Sequence, residues 1–411
     1  MILVAGLIYI AVFLYCGWSW PKVALLLIFA LAPFQYDIST GGPVRFSIAE
    51  INLLLTVPLL VATGRPILFG PTALPTALYL GVCLTDTLIH WRDSSLVSLV
   101  QMGIYLVAAV IVFTSFVKRP EDFRLALQGL VVVGVVLAVA VIVTRSGYVL
   151  GLHKNGVGSS LAAAVVVAAE LWFSATGRRE KRWLGVGTLI IAAGLFFTLS
   201  RGAWIGAVCA LLMLLGLRRK FRLLMQVSIG AVILIAIGWR FLPSESREYA
   251  TSLNRENENI RLRFQSIDFA RDIFEANPVL GVGVGLRKEY DATNIVWLTL
   301  AETGVPGLVT WLLIHLALTR MVWRDHRYVA QSDILFSLSA LGGALVVSKL
   351  VHGLVDHYWS RGAIMVAWCS AGMATHAHFI VRGRMAFWAR ERWRRAQETA
   401  VRTLQPSTYH G

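Results

Sequence analysis

The chain has 411 residues, of which 57% are hydrophobic and only 15% charged, with a mean hydropathy of +0.67. An ordinary soluble domain carries about 25% charged residues, so this composition excludes that class and points to a membrane protein. The formal net charge of +15 would suggest nucleic acid in a soluble protein, but the basic residues cluster in short loops between apolar runs, at every second loop. That is the positive-inside pattern, and no nucleic-acid partner is expected.

Taken in chain order, apolar runs predict spans near residues 2–17, 22–36, 48–62, 73–89, 96–117, 125–143, 157–175, 183–199, 202–217, 223–241, 295–318, 333–350 and 362–381. The expectation is an all-α polytopic membrane protein with about 12–13 transmembrane helices. MILVAGLIYIAVFLY lacks a basic n-region and a cleavage site, and reads as a retained span. The tail, RGRMAFWARERWRRAQ, reads as a basic cytoplasmic helix near anionic headgroups. With the tail cytoplasmic, the loops at 35–47, 90–95, 144–156, 200–202, 242–294 and 351–361 share the outer face. The organisation is then N-terminal transmembrane helices over 1–241, an outer loop with an amphipathic helix over 242–294, C-terminal transmembrane helices over 295–381, and the tail over 382–411. Cys16, Cys83, Cys209 and Cys369 all lie in apolar segments without metal-ligand spacing, so neither a disulfide framework nor a zinc site is expected.

The candidate residues lie on that outer face. HKNGVGSSLA, residues 153–162, opens a span with Lys154 and Asn155, and Asn155 is expected to cap the helix. In FFTLSRGAWIG, Arg201 interrupts two apolar segments, where an arginine costs between about 3 and 17 kcal/mol at the bilayer centre. A guanidinium beside a helix N-terminus suits a phosphate; the plainer reading is an arginine snorkelling to the headgroups. Gly202 and Gly206 form a small-residue face for helix packing. In the long loop, Phe264, Ile267, Phe269, Ile273 and Phe274 recur at helical spacing until Pro278, with Arg261 and Arg263 at the start. GVGVG, followed by Arg287 and Lys288, lacks the spacing of a nucleotide loop and reads as a turn back to the membrane. HGLVDHYWSRG gathers His352, Asp356, His357, Tyr358 and Trp359, with His352 and Asp356 one helical turn apart. Two or three such ligands make a weak metal site, and no metal or other cofactor is expected.

HKNGVGSSLA, FFTLSRGAWIG, RFQSIDFARDIFEANPVLGVGVG and TNIVWLTLAETGVPGL, in that order, resemble the O-antigen ligase and polymerase family of membrane glycosyltransferases. The resemblance implies a GT-C-like fold with one long periplasmic loop, in a bacterial inner membrane. It also implies transfer of a glycan from undecaprenyl diphosphate to a sugar hydroxyl on a glycan or lipid-linked acceptor, without a metal. Arg201 and Arg263 correspond to the arginines that would bind the diphosphate, and Glu302 and Gly304 match the E-x-G that follows. Members often carry His-Asn where this chain has Thr293-Asn294, so either His352 first, or His357 second, supplies the acceptor base, or the reaction needs no base. Arg261, Arg287, Lys154, Asn155, Asn294 and Trp359 complete the expected substrate contacts, and Asp356 and Glu302 the catalytic set. Ligase and polymerase activities remain alternatives. A transporter or flippase of lipid-linked sugars is the rival from another class, because it would also use outer-face arginines.

Overall fold

A computed structural model describes residues 2–36, 38–39, 45–223, 225–226, 229–230, 258–290, 292–331 and 333–404. The expected span at 223–241 and the start of the long loop, 242–257, fall outside the described residues except at isolated positions up to 230. Among the described residues the regular elements are helices, apart from a hairpin of two two-residue strands, β1 (Ile38–Ser39) against β2 (Arg45–Phe46).

The first helices are α1 (Ile2–Ser19), α2 (Pro21–Leu31), α3 (Ile48–Ala62), α4 (Ala73–Ile89), α5 (Asp93–Ser115), α6 (Phe123–Thr144) and α7 (Lys154–Ser174). They continue with α8 (Arg178–Phe197), α9 (Arg201–Leu217), α10 (Glu258–Ala276), α11 (Leu286–Glu289), α12 (Ile295–Asp325), α13 (Ile334–Gly353) and α14 (Ala363–Leu404). Seven stretches among the described residues are long and apolar enough to cross a membrane, and α1, α2, α3 and α9 are shorter apolar helices. The chain is therefore an all-α multi-pass membrane protein. Two boundaries depart from the sequence reading. The expected second span stops at Leu31 because the chain turns at Ala32–Pro33. The last span and the basic tail form one continuous helix, α14, because no Gly or Pro pair breaks it.

Local chemistry starts several helices. Ser47 and Glu50 form a reciprocal capping box on α3, Pro21 occupies the first turn of α2, and Asp333 caps α13 through Leu335 N at 3.0 Å. The centre is built from α7, α13 and α14, whose apolar windows are 78%, 78% and 83% buried, so the remaining helices wrap around these three. Small residues bring the axes together: a Cβ on Gly206 would meet Ser348 O at 2.7 Å, and one on Gly342 would meet Ser370 O at 2.6 Å. In lipid, where apolar surface alone drives no association, such close backbone contact supplies the packing energy.

One buried ion pair locks the end of the bundle remote from the candidate residues. Arg218, just beyond α9, donates through Nε to Glu170 Oε2 at 2.8 Å and through Nη2 to Oε1. Its guanidinium also lies over the Phe336 ring at 4.9 Å. The two side chains are 4% and 0% exposed, so each charge depends on the other.

Candidate active site

The FFTLSRGAWIG segment turns sharply where α8 ends. Leu199 adopts φ 55°, Ser200 is extended, and Arg201 begins α9. The turn is stapled from within: Trp204 Nε1 donates to Leu195 O at 2.8 Å, and its ring stacks on Phe196 with centroids 5.4 Å apart. It is also tied across the bundle, since Ser200 Oγ donates to Asn155 Oδ1 at 3.2 Å. Asn155 is thus occupied with the neighbouring turn and does not cap α7, a correction to the sequence reading. The cap is His153, whose Nδ1 accepts from Asn155 N at 3.3 Å, because its extended backbone points the ring at the first turn. Lys154 opens α7 beside Gly147.

The long loop contributes α10, which carries the expected amphipathic pattern up to Asn277 and Pro278. Its Ile260, Arg263, Phe264 and Ile267 face Arg201, Ile205, Thr293 and Val355 across a cavity of about 440 Å³. Arg261 lies on the same helix but outside that lining, and is exposed. The cavity combines two guanidinium groups with a largely aliphatic and aromatic wall. Such a space suits an amphiphilic anion whose charged group meets the arginines and whose chain meets Phe264 and Ile267.

Behind the wall stands a second constellation. Arg263 Nη1 donates to Val355 O at 2.5 Å, and Nη2 lies 3.7 Å from Asp356 Oδ2. His352 Nε2 approaches the same oxygen at 3.5 Å. Asp356 Oδ1 accepts from His357 N at 2.7 Å. Burial alone would raise the Asp356 carboxyl, but the His352 imidazole, the Arg263 guanidinium and the His357 amide together hold it well below the usual carboxylate range. Burial also pushes the His153 imidazole below its ordinary value; the Asp356 charge opposes this, while Lys154, His357 and Arg263 reinforce it. His352 and Asp356 are 3% and 4% exposed and do not line the cavity itself. Gly202, which lines the cavity, packs on the imidazole.

The remaining expected residues build a clamp. Glu302 is buried and its Oε1 accepts from Gly285 N at 2.9 Å and Arg287 N at 3.2 Å. Arg287 Nε lies 3.8 Å from that oxygen, and its guanidinium sits 4.7 Å over the Trp359 ring. Glu302, Arg287 and Trp359 therefore join the GVGVG turn to the 354–362 loop; they do not enter the cavity. The turn itself folds as expected, with Gly281, Gly283 and Gly285 all at positive φ; Gly281 lies against Glu302 and Thr303 beside the kink that Gly304 (φ 60°) introduces in α12, and Gly285 against Ser94 and Ser95. Asn294 caps α12 through Val296 N and Trp297 N and donates to Leu354 O at 2.9 Å, so it tethers the His352 loop. Thr293 lines the cavity and pairs with Ser266 Oγ at 3.1 Å.

One contributor went unnoticed in the sequence, and another was read for packing rather than for the site. Lys349, buried in α13, donates to His357 O and Ser360 Oγ, both at 2.9 Å, and so closes the HGLVDHYWSRG loop. A lone lysine in an apolar helix was the available signal. Gly202, singled out in the sequence for helix packing, is what lets His352 approach Arg201's helix.

Residues 186–312 match the model of the O-antigen ligase family. The match spans Arg201, Arg263, Thr293 and Glu302 and ends before His352. No curated protein matches the chain.

Proposed function

We propose that this chain, which matches the O-antigen ligase family over residues 186–312, is a glycosyltransferase that moves a glycan from undecaprenyl diphosphate to a sugar hydroxyl. The family assignment supports glycan transfer of the ligase or polymerase type at a membrane. The observation that carries the finer reading is the cavity of about 440 Å³ with Arg201 and Arg263 at one side and an apolar wall at the other. A polyprenyl diphosphate has the matching chemistry, with a dianionic head for the arginines and a hydrocarbon chain for Phe264 and Ile267.

In this reading the acceptor oxygen attacks the anomeric carbon, and the bond from that carbon to the diphosphate oxygen breaks. The electron pair leaves with the lipid diphosphate. Arg201 and Arg263 neutralise the charge that grows there, an electrostatic contribution of about 3–4 kcal/mol per contact. The acceptor proton passes to His352, which Asp356 orients and whose charge Asp356 stabilises once the proton arrives. Val355 and Leu354, which line the cavity just after His352 in the chain and are 38% and 39% exposed, shift to admit the acceptor. The arginines supply the neutralising charge that a metal provides in other transferases. The active face is the periplasmic face of a bacterial inner membrane, consistent with the basic loops at the opposite end.

Glycan transfer by the purified protein in proteoliposomes loaded with lipid-linked donor tests this reading. Donor consumption with release of undecaprenyl diphosphate is expected. Movement of intact donor across the bilayer without consumption would favour the transporter instead.

A further inference from the structure

At the opposite end of α12 lies a second cavity, of about 350 Å³, which the proposed transfer reaction does not use. It is about 40 Å from Asn294 along α12, at 1.5 Å per residue. Its lining changes character along the helix. Leu313 and Leu316 give an apolar half, closed by Pro71 and Pro75; Arg320 and Arg324, one and two turns further on, give a basic half that Arg382 of α14 completes. Leu316 is 61% exposed, so the apolar half opens outward, where a membrane-crossing helix meets lipid chains.

The charge on this groove is unbalanced. The neighbouring acid, Asp325, is buried and engaged by His378 Nδ1 at 2.8 Å. Among the described residues, no carboxylate forms an ion pair with Arg320, Arg324 or Arg382. Three guanidinium groups at the end of two membrane-crossing helices, continuous with an outward-facing apolar furrow, complement a ligand with a phosphate head and a hydrocarbon chain side by side.

We infer that the groove between α12, α14 and the start of α4 is a binding site for an anionic phospholipid of the surrounding bilayer, with its phosphate on Arg320, Arg324 and Arg382 and an acyl chain along Leu313 and Leu316. A bound lipid bridges helices that carry the two ends of the chain's C-terminal half. The site is independent of the transfer reaction and stands or falls separately from it.

The test uses full-length protein extracted from mixed vesicles of phosphatidylcholine and phosphatidylglycerol, with retained lipid counted by native mass spectrometry. Phosphatidylglycerol is expected to be retained over phosphatidylcholine by about tenfold or more. Arg320→Gln/Arg324→Gln removes the preference through the head, and Leu316→Trp removes retention by filling the furrow. The two variants act on opposite halves, so misfolding of either, seen as loss of a monodisperse peak, leaves the other to decide. Equal retention of both lipids by the unmodified protein, or unchanged preference in a folded variant, overturns the proposal. Displacement of the lipid by inorganic phosphate also overturns it, by making a soluble anion the ligand.

Discussion

Gly202 packs directly on the imidazole of His352: a Cβ at position 202 would stand 2.7 Å from Cδ2 of the ring and 2.8 Å from Cγ2 of Val355. The helix that begins with Arg201 and the helix whose last turn carries His352 therefore meet where only a hydrogen fits. Gly202→Ala must push the ring, the Val355 segment or α9 aside by several tenths of an ångström. Since a misplacement of about 1 Å can cost about 100-fold in rate, we expect Gly202→Ala to lower transfer by about tenfold or more while the protein remains folded. Initial rates in proteoliposomes, with thermal unfolding measured in parallel, would show it. A rate near that of the unmodified protein would mean that the imidazole position does not matter.

Arg201 and Arg263 face one cavity. Arg263 is already held by Val355 O and the Asp356 carboxylate, which fixes its guanidinium before any ligand arrives. Arg263→Lys keeps a charge but loses the fork that spans both partners. Arg201→Ala and Arg263→Ala are each expected to lower kcat by about 100-fold or more, and Arg263→Lys to recover only a minor part. Full activity in Arg201→Ala would remove that residue from the diphosphate.

Local pattern carried the helices and turns into view. The 3.6-residue recurrence of Phe264, Ile267 and Ile273 marked α10, Pro278 marked its end, and the glycines of GVGVG marked the turn. The partners of the charged residues were not legible in the same way. Glu170 and Arg218 are 48 positions apart, and Arg263 meets a carbonyl 92 positions away. Nothing in the neighbourhood of Glu302 indicates that its carboxylate will be enclosed by the amides of a turn 15 to 17 residues earlier. Asn155 shows the same limit at short range. Its type favours a helix cap, yet the approach of Ser200 from another hairpin claims its side chain and leaves the cap to His153.

Asp356 makes the stability depend on acid. Its carboxyl titrates lower in the folded protein than in the unfolded chain, against the effect of burial, because His352, Arg263 and the His357 amide favour the charged form. A depressed carboxylate stabilises the fold fully above its unfolded value of about 4, and this contribution is lost as pH falls through the folded value. Asp356→Asn lacks it at every pH. The difference in unfolding temperature between the two proteins should therefore be widest near neutrality and shrink below about pH 4. A difference that stays constant across that range would show that the charge on Asp356 contributes nothing.

The Glu170–Arg218 pair predicts an asymmetry between single and double substitutions. Glu170→Ala leaves a guanidinium 4% exposed with only ring faces and a carbonyl for company, and removal of one partner of a buried pair costs about 3–5 kcal/mol. Replacing both, as Glu170→Leu with Arg218→Met, removes the desolvation of both charges and should recover most of the loss. Denaturation of the purified protein in detergent distinguishes the two. A double variant no more stable than Glu170→Ala would mean that the pair's geometry, beyond its mutual neutralisation, is required.

Glu302 separates chemistry from architecture. Its position in an E-x-G sequence made it a candidate for catalysis, whereas its Oε1 receives two backbone N–H groups of the turn at 2.9 and 3.2 Å and faces Arg287. Glu302→Gln keeps a carbonyl oxygen where those amides converge, and loses only the charge opposite Arg287. Glu302→Ala leaves both amides without an acceptor, at about 1–3 kcal/mol for each buried group so stranded, and takes the counter-charge away from Arg287. If Glu302 acts by holding the turn, Glu302→Gln retains most of the transfer rate and Glu302→Ala loses stability and rate together. If its carboxylate takes part in the reaction, Glu302→Gln abolishes transfer in a protein that unfolds at nearly the normal temperature. Rate and unfolding temperature measured on the same two preparations decide between them.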